Sequence, residues 1–320
     1  MFVEYKKVTD MLRNSLFVIA FCGLLASCSR QELELRETDG VIRLGVGKVT
    51  RAEVQTATDL GNNIGIYGVQ LPNTTASGWG NALSMDNVRS TAVEASGAIS
   101  WDGIYYYPAD PAHYVKFCAY YPYADGVRFS LDAPASGKAP VLRFTLNGSD
   151  DILYSAPVVG SRDNTTPLSL VFSHALTQLK FEIQDVNEAL TGKTIENIVI
   201  QNANTVSSMN IESGVFGEWS TPAELKVPGI EGKNITLVDK NPLAAGDGIM
   251  LQPGLASFKI RLEIAGHAYP DVEIKPTGEL AFAAGHSYKI TLTFNEKVEV
   301  FAKVVVIPWE LAGTGSAVIQ

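Results

Sequence analysis

Apolar and polar residues alternate with a period of two along several stretches of this chain. The clearest stretches are residues 115–121, 179–184, 258–264 and 288–294. Because successive side chains of a β-strand point to opposite faces, each stretch predicts a strand with one buried face and one solvent-facing side. Strands of this kind are typical of antiparallel sheets that pack face to face, and long helical periodicity is hard to find. We therefore expect an all-β protein made of antiparallel β-sandwiches.

The length of the chain, 320 residues, favours two domains, each large enough to bury a core of its own. The polar loop at residues 160–167 separates an aromatic-rich first half from a second half with longer alternating strands. We predict an N-terminal β-sandwich domain at residues 41–165 and a C-terminal β-sandwich domain at residues 166–320.

The N-terminus has the pattern of a secretory signal peptide. Basic residues, Lys6, Lys7 and Arg13, precede an apolar run at residues 16–26 that is too short to span a bilayer. Met11 would also serve as a start, because the residues between it and the run form an adequate basic segment. Both starts predict export, with residues 1–27 as the signal peptide.

The apolar run ends in Leu25-Ala26-Ser27-Cys28, which resembles the bacterial lipobox. The resemblance implies cleavage between Ser27 and Cys28 and attachment of lipid to Cys28, with an outer-membrane, cell-surface location. Two or three acyl chains are enough to hold a protein on a membrane. The charged residues that follow predict a tether at residues 28–40. The alternative is an ordinary signal peptide with an incidental cysteine.

Cysteine content and net charge each argue against a class of protein. Cys22 is discarded with the signal peptide and Cys28 is lipidated, so Cys118 remains alone and no internal disulfide is expected. Cys118 lies in an aromatic strand, which favours the role of a small buried hydrophobe. The formal charge of −9 and the lack of basic clusters argue against a nucleic-acid partner.

The histidines form no pattern that indicates catalysis or metal binding. His113, His174, His267 and His286 lie far apart, without cysteines or carboxylates at metal-ligand spacing. Ser173 precedes His174 directly, but adjacent side chains of a strand face opposite sides. We therefore expect turn or surface histidines, no catalytic residue, no metal and no cofactor.

Tyrosine and tryptophan are concentrated in the first half of the chain. Exposed rings would stack on sugars, whereas alternating rings would fill a core. A surface lipoprotein that binds glycans is therefore an alternative function. The rings are those of Trp79, Trp101, Tyr105, Tyr106, Tyr107, Tyr114, Tyr120, Tyr121 and Tyr123.

Seven short motifs, in order along nearly the whole chain, resemble those of the fimbrillin-like family of Gram-negative anaerobes. Each motif is weak alone, being a strand with its turn, and their common order carries the resemblance. The motifs are the lipobox at Cys28, Val49-Thr50-Arg51-Ala52, the Phe117–Pro122 strand, Asp151–Ser155, Leu170–Phe181, Phe282–Tyr288 and Ile307-Pro308-Trp309.

The resemblance implies a lipoprotein precursor of a type V pilus subunit, folded as two transthyretin-like β-sandwiches in tandem. It also implies maturation by an Arg-specific protease that removes the lipid together with the first strand. The matching position is Arg51 before Ala52, and the departing strand would be residues 41–50. Arg43 is a competing cleavage site.

The same resemblance implies that residues 298–320 donate a strand to the groove of a neighbouring subunit. The donor candidates are Val304, Val305, Val306, Ile307 and Trp309. The alternative is that this segment forms the last strand of its own sheet. The implied function is a structural or accessory pilus subunit with a role in adhesion. Its partners would be pilus subunits of the same or another kind, and a ligand on a host or bacterial surface.

Overall fold

The protein is built of β-strands throughout the part that the structure describes. The computed structural model describes residues 40–47, 60–74, 78–163, 166–188, 190–231, 235–237, 240–294 and 300–307. Every named element of secondary structure within these ranges is a strand. No helix in them is long and apolar enough to cross a membrane. The prediction of an all-β protein is therefore confirmed.

The strands are numbered in chain order. Those of the first half are β1 (Leu44–Val46), β2 (Gly65–Leu71), β3 (Leu83–Val93), β4 (Ile99–Trp101), β5 (Tyr114–Tyr121), β6 (Phe129–Asp132), β7 (Val141–Thr145), β8 (Leu153–Ser155) and β9 (Val158–Gly160). Those of the second half are β10 (Leu168–Leu170), β11 (Phe172–His174), β12 (Thr177–Asp185), β13 (Thr194–Asn210), β14 (Ser220–Lys226), β15 (Ile235–Thr236), β16 (Leu243–Ala244), β17 (Ile249–Leu251), β18 (Phe258–Ile264), β19 (His267–Ala268), β20 (Val272–Ile274), β21 (Ser287–Phe294) and β22 (Val300–Ile307).

The described strands form four sheets. A seven-stranded sheet has the order β11-β8-β5-β2-β3-β4, with β9 also paired to β5. An eight-stranded sheet has the order β19-β18-β13-β7-β6, with β14 and β15 on β13 and β20 on β18. A five-stranded sheet has the order β16-β12-β21-β22, with β17 on β12, and β1 and β10 form a two-stranded sheet.

Two strand pairs run parallel, so the expectation of purely antiparallel sheets is wrong at these places. Strand β12 pairs in parallel with β21, and β1 pairs in parallel with β10. Parallel neighbours need a long connection, and here the chain crosses the eight-stranded sheet between β12 and β21. Alternation of side chains shows which face of a strand is buried but carries no information about the direction of its neighbour.

Three apolar cores lie between the sheets. The N-terminal core includes Ile42, Leu44, Ile66, Phe117, Leu170 and Phe172. The middle core includes Tyr67, Trp79, Cys118, Tyr120, Phe144 and Met209. The C-terminal core includes Leu179, Phe181, Ile260, Ile290, Leu292 and Val304.

The pairing of β7 with β13 joins the two halves of the chain in one sheet. It runs over five residue pairs, from Val206 opposite Thr145 to Asn210 opposite Val141. A hairpin of the first half, β6 and β7, thus extends the long β13–β14 hairpin of the second half. The domain boundary between residues 165 and 166 stays a prediction.

The predicted alternation of burial is confirmed in the second half and corrected in β5. Strands β12, β18 and β21 bury every second side chain. In β5, however, Phe117 faces the N-terminal core while Cys118 and Tyr120 face the middle core. Strand β5 therefore has no solvent-facing side, because a core lies on each side of its sheet.

One glycine is required by this packing. An added Cβ at Gly65 in β2 would overlap the ring of Tyr120 on the paired strand β5. The Tyr120 hydroxyl donates a hydrogen bond to Asn87 Oδ1 at 2.8 Å. Gly65 thus makes room for a fully buried ring whose polar end is hydrogen-bonded.

Candidate functional site

The first described segment, Gly40–Gly47, contains β1 and is held between two partners. On one side lies β10, and on the other lie the connections around Gly97 and Tyr105. The backbone hydrogen bonds are Ile42 N to Tyr105 O at 2.9 Å, Tyr107 N to Gly40 O at 2.7 Å, Val46 N to Gly97 O at 2.7 Å, Gly47 N to Leu170 O at 2.7 Å and Leu168 N to Arg43 O at 3.1 Å.

The inward side chains of this segment fill the N-terminal core. Ile42 and Leu44 are each 2% exposed, and Val46 packs against the same core, whereas Arg43 is exposed. Burial of an aliphatic side chain contributes about 1.5–3 kcal/mol, so Ile42 and Leu44 together contribute roughly 3–6 kcal/mol before chain entropy is subtracted. Removal of the segment would leave an apolar groove beside β10, with the backbone groups of both partners unpaired.

On the outward face of the same segment, the two positions that follow Arg43 are closely covered by neighbouring residues. A Cβ at Gly45 would lie 3.3 Å from the carbonyl oxygen of Gly97. A Cβ at Gly47 would collide with Ser169 Oγ and lie 3.3 Å from the carbonyl oxygen of Leu170. A single Cβ would therefore need the Gly97 carbonyl to shift slightly at position 45 and Ser169 Oγ to turn away at position 47, and larger side chains would need more room than this.

The last described strand, β22, lies in its own sheet. It pairs antiparallel with β21 over eight residues, from Val300 opposite Phe294 to Ile307 opposite Ser287. Val304 is buried in the C-terminal core, whereas Phe301 is exposed. Strand β22 is also the last in the order of the five-stranded sheet, which leaves its other edge without a named partner in the described part.

The predicted site residues divide into two groups. Val304, Val305, Val306 and Ile307 lie in β22, where Val305 and Val306 are 43% and 45% exposed. The remaining ones, Ser27, Cys28, Arg51, Ala52 and Trp309, lie outside the described residues, as do the signal peptide and nearly all of the tether. The structure does not bring β22 to β1, because these strands belong to different sheets and different cores.

Comparison with protein families gives a match over most of the chain. The family model described as fimbrillin-like matches residues 50–309. The chain belongs to the fimbrillin-like family. The resemblance seen in its sequence motifs is thereby confirmed.

Solved structures share the fold of this fimbrillin-like protein. A fimbrial protein from Bacteroides vulgatus is 16% identical, with a TM-score of 0.60, over 84% of this chain and 99% of its own. A candidate cell adhesion protein from Bacteroides uniformis is 20% identical, with a TM-score of 0.56, over 86% of this chain and 100% of its own. One from Bacteroides ovatus is 17% identical, with a TM-score of 0.56, over 86% and 99%. Comparison with curated protein sequences gives no match.

The expectation of turn or surface histidines is wrong for His174 of the fimbrillin-like protein. His174 lies at the end of β11, and its Nδ1 is 2.6 Å from Oδ2 of Asp151, with both side chains buried. Asp151 Oδ1 also accepts a hydrogen bond from Ile152 N at 2.8 Å. Both residues lie in motifs of the resemblance, but their pairing depends on a strand contact that periodicity does not reveal. The described residues contain no group of three or more His, Cys, Asp or Glu able to hold a metal.

A partly buried charge network in the fimbrillin-like protein was not predicted from the sequence. Lys116 Nζ lies 2.6 Å from Glu212 Oε1 and 5.2 Å from the centre of the Trp79 ring. The indole N–H of Trp79 donates to the other carboxylate oxygen of Glu212. Lys116 belongs to β5 and Glu212 to the turn after β13, so the network joins the two halves of the chain. The only sequence signal is a lysine inside an otherwise apolar strand.

The thiol of Cys118 and most aromatic rings of the first half serve packing. Burial raises the pKa of Cys118 to about 12, so the thiol stays protonated and unreactive at neutral pH, as predicted for a small hydrophobe. Trp79 and Tyr120 are buried in the middle core and Tyr107 in the N-terminal core. Among the rings considered for sugar stacking, Tyr106 is the one classed as exposed in the described part of this fimbrillin-like protein.

Proposed function

We propose that the protein is a structural or accessory subunit of a cell-surface pilus, with a role in adhesion and no catalytic activity. Membership of the fimbrillin-like family supports this function. The fold shared with a fimbrial protein and with candidate cell adhesion proteins is consistent with it. In the proposal, the chain is exported with residues 1–27 as signal peptide and reaches the outer membrane through lipid on Cys28. Its body is two tandem transthyretin-like sandwiches, residues 41–165 and 166–320.

The observation that carries the proposal is the position of Ile42 and Leu44 in the N-terminal core. They belong to the segment of residues 40–47, which precedes Arg51 in the chain, so one cut between Arg51 and Ala52 would separate this segment and the lipid from the rest. After the cut, only non-covalent contacts would hold the strand. Its departure would open an apolar groove with unpaired backbone groups, which is a template for a strand of a partner.

The contacts around Arg43 argue against cleavage at this competing site. The carbonyl of Arg43 accepts a hydrogen bond from Leu168, and the residues on both sides of Arg43 are buried. A protease binds its substrate as an extended, accessible segment, so cleavage at Arg43 would require the strand to leave first. The exposed side chain of Arg43 is therefore not enough to make it a substrate.

Residues 298–320 supply the proposed donor, with Val304, Val305, Val306, Ile307 and Trp309 as its apolar candidates. Strand β22 is the part of this segment that the structure describes. Its outer edge and the exposed side chains of Val305 and Val306 are the features that suit it to pairing with a partner. To be donated, the strand has to give up its pairing with β21 and the burial of Val304. A groove in the partner that buries four or five apolar side chains would offset that loss.

The glycan-binding alternative has less support, because Trp79, Tyr107 and Tyr120 lie in the cores. It stays a prediction that rests on the exposed ring of Tyr106.

The decisive experiment follows the chain in the bacterium that makes it. We expect the wild-type chain to begin at Ala52 and to appear in sheared surface fibres as SDS-resistant polymers. The Arg51→Gln variant should stay in the outer membrane as a lipidated monomer, whereas the control Arg43→Gln should behave as wild type. Mass spectrometry of the N-terminus and gel analysis of both fractions measure this. A wild-type chain that keeps residues 28–51 would remove the maturation model.

A further inference from the structure

Three glycines meet where β1 passes the turn around Gly97. Gly45 and Gly47 face outward on the strand, and Gly97 lies against it with a φ of +86°. A Cβ on Gly97 would lie 2.8 Å from the carbonyl oxygen of Val46, so the turn cannot carry a side chain at this position without strain. The hydrogen bond from Val46 N to Gly97 O, at 2.7 Å, holds the turn in this place.

The segment 42–47 therefore has a simple size pattern. Its inward positions hold branched aliphatic residues, Ile42, Leu44 and Val46. Its outward positions hold one long exposed residue, Arg43, followed by Gly45 and Gly47 under the covering backbone. A β-branched residue in place of either glycine would bring two further carbons against the Gly97 turn or against Ser169 and Val171.

We infer that the groove left by β1 selects its occupant by this pattern and is filled by a strand of a different pilus subunit. The inference rests on the proposed strand exchange and specifies its partner. The occupant carries apolar side chains at three alternate positions and glycine at the two outward positions that correspond to Gly45 and Gly47. It makes the same backbone hydrogen bonds to β10 and to the Gly97 turn that β1 makes.

Strand β22 of a second copy does not meet this pattern. With Ala302, Val304 and Val306 inward, Val305 and Ile307 take the places of the two glycines. With the register shifted by two residues, Lys303 and Val305 take the places of Gly45 and Gly47. If the strand runs in the opposite direction, either Val304 or Lys303 takes the place of Gly45. Residues 309–314 put Thr314 in the place of Gly47 and Gly313 in the place of Val46. Residues 310–315 put Gly313 and Gly315 in the places of the two glycines, but they turn Glu310 and Thr314 inward, where the groove is apolar.

The test uses the full chain with a recognition sequence for a sequence-specific protease inserted after Glu53. After cutting, a labelled synthetic peptide of residues 39–48 is exchanged into the protein, and unlabelled peptides compete for the groove. The competitors carry Gly45→Val, Gly47→Val or Arg43→Val, and a fourth has the sequence of residues 299–308. Arg43→Val is the matched control, because it places the same β-branched residue on the same face where nothing covers it.

We expect the wild-type and Arg43→Val peptides to compete within about 3-fold of each other. The two glycine variants and the β22 peptide should be weaker by at least about 10-fold. The cut protein alone should remain monomeric in size-exclusion chromatography. Equal competition by the glycine variants, failure of the wild-type peptide to exchange, or SDS-resistant ladders of the cut chain alone would overturn the inference.

The inserted site keeps this test separate from the proposed maturation at Arg51. If Arg51 is never cut in the bacterium, the proposed function fails while the peptide competition still reports the selectivity of the groove. If the peptides compete equally, the selectivity fails while processing at Arg51 and assembly into fibres can still be observed.

Discussion

Nδ1 of His174 lies 2.6 Å from Oδ2 of Asp151, and both side chains are almost completely excluded from solvent. The pair connects the last residue of β11, His174, to the loop that leads into β8. Loss of one partner in a buried pair leaves the other without its hydrogen bond, which costs far more than loss of an exposed pair.

We expect Asp151→Ala to lower the free energy of unfolding by about 3 kcal/mol. The control is Glu188→Ala, which removes an exposed carboxylate 3.7 Å from Lys240 and should change stability by less than about 0.5 kcal/mol. Urea denaturation of the purified, unlipidated protein measures both. Equal losses of unfolding free energy in the two variants would show that the buried pair stabilises the protein no more than an exposed pair does.

Glu212→Ala is expected to destabilise the protein by about 2–4 kcal/mol, because it removes the carboxylate that binds both Lys116 and Trp79. The exposed pair of Lys275 and Glu273, at 2.9 Å, supplies the control Glu273→Ala, with an expected loss below about 1 kcal/mol. The same denaturation measurement applies. If Glu212→Ala had the same free energy of unfolding as the wild type, the network would not contribute to holding the two halves together.

Stability should fall with rising pH above about 9. Burial raises the pKa of the Cys118 thiol and the Tyr107 hydroxyl to about 12, and it also raises the pKa of Tyr67 and Tyr120. These groups ionise in the unfolded chain first, so their contribution is complete below the unfolded pKa and is lost as pH rises towards the folded value.

The variant Cys118→Ala tests this cause. Its unfolding free energy should fall less steeply between pH 9 and pH 12, by up to about 1.4 kcal/mol per pH unit relative to wild type. Urea titrations at several pH values measure the slope. Identical slopes in the variant and the wild type would show that Cys118 is not the group responsible.

Val304→Ala and Val305→Ala distinguish the two faces of β22 before any assembly. Val304 is 4% exposed in the C-terminal core, so its truncation should cost about 1–3 kcal/mol, whereas Val305 is 43% exposed and should cost less than about 0.5 kcal/mol. Thermal and urea unfolding of the monomer measure the difference. If both substitutions were neutral, β22 would not be seated in its own sheet in solution.

The sequence alone predicted those parts of the fold that depend on one strand at a time. The alternation at residues 258–264 reports burial directly, because one face of β18 meets a core and the other meets solvent. The two buried faces of β5 were missed, since a set of apolar and aromatic residues interrupted only by Lys116 is compatible with both arrangements. Lys116 was the one departure from apolar character, and it marks the charge network.

Contacts between distant parts of the chain could not be predicted from residue spacing. Trp79 and Glu212 are separated by 133 positions, and Lys116 and Glu212 by 96. The parallel pairing of β1 with β10 and the contact of Gly97 with Gly45 also join residues that are far apart in the sequence. Glycine at positions 45 and 47 was visible in the sequence, but its meaning depends on which backbone lies above it.

We expect the parallel pairing of Leu44 with Leu168 to form late during folding. The loop that this pair closes spans more than a hundred residues, so its entropy is recovered only after the intervening strands have formed. Strand β1 is thus among the last elements to dock, and most of the contacts of the seven-stranded sheet form without it. If β1 docks last it can also leave first, so the proposed cut after Arg51 would act on the strand whose loss disturbs the rest of the sheet least.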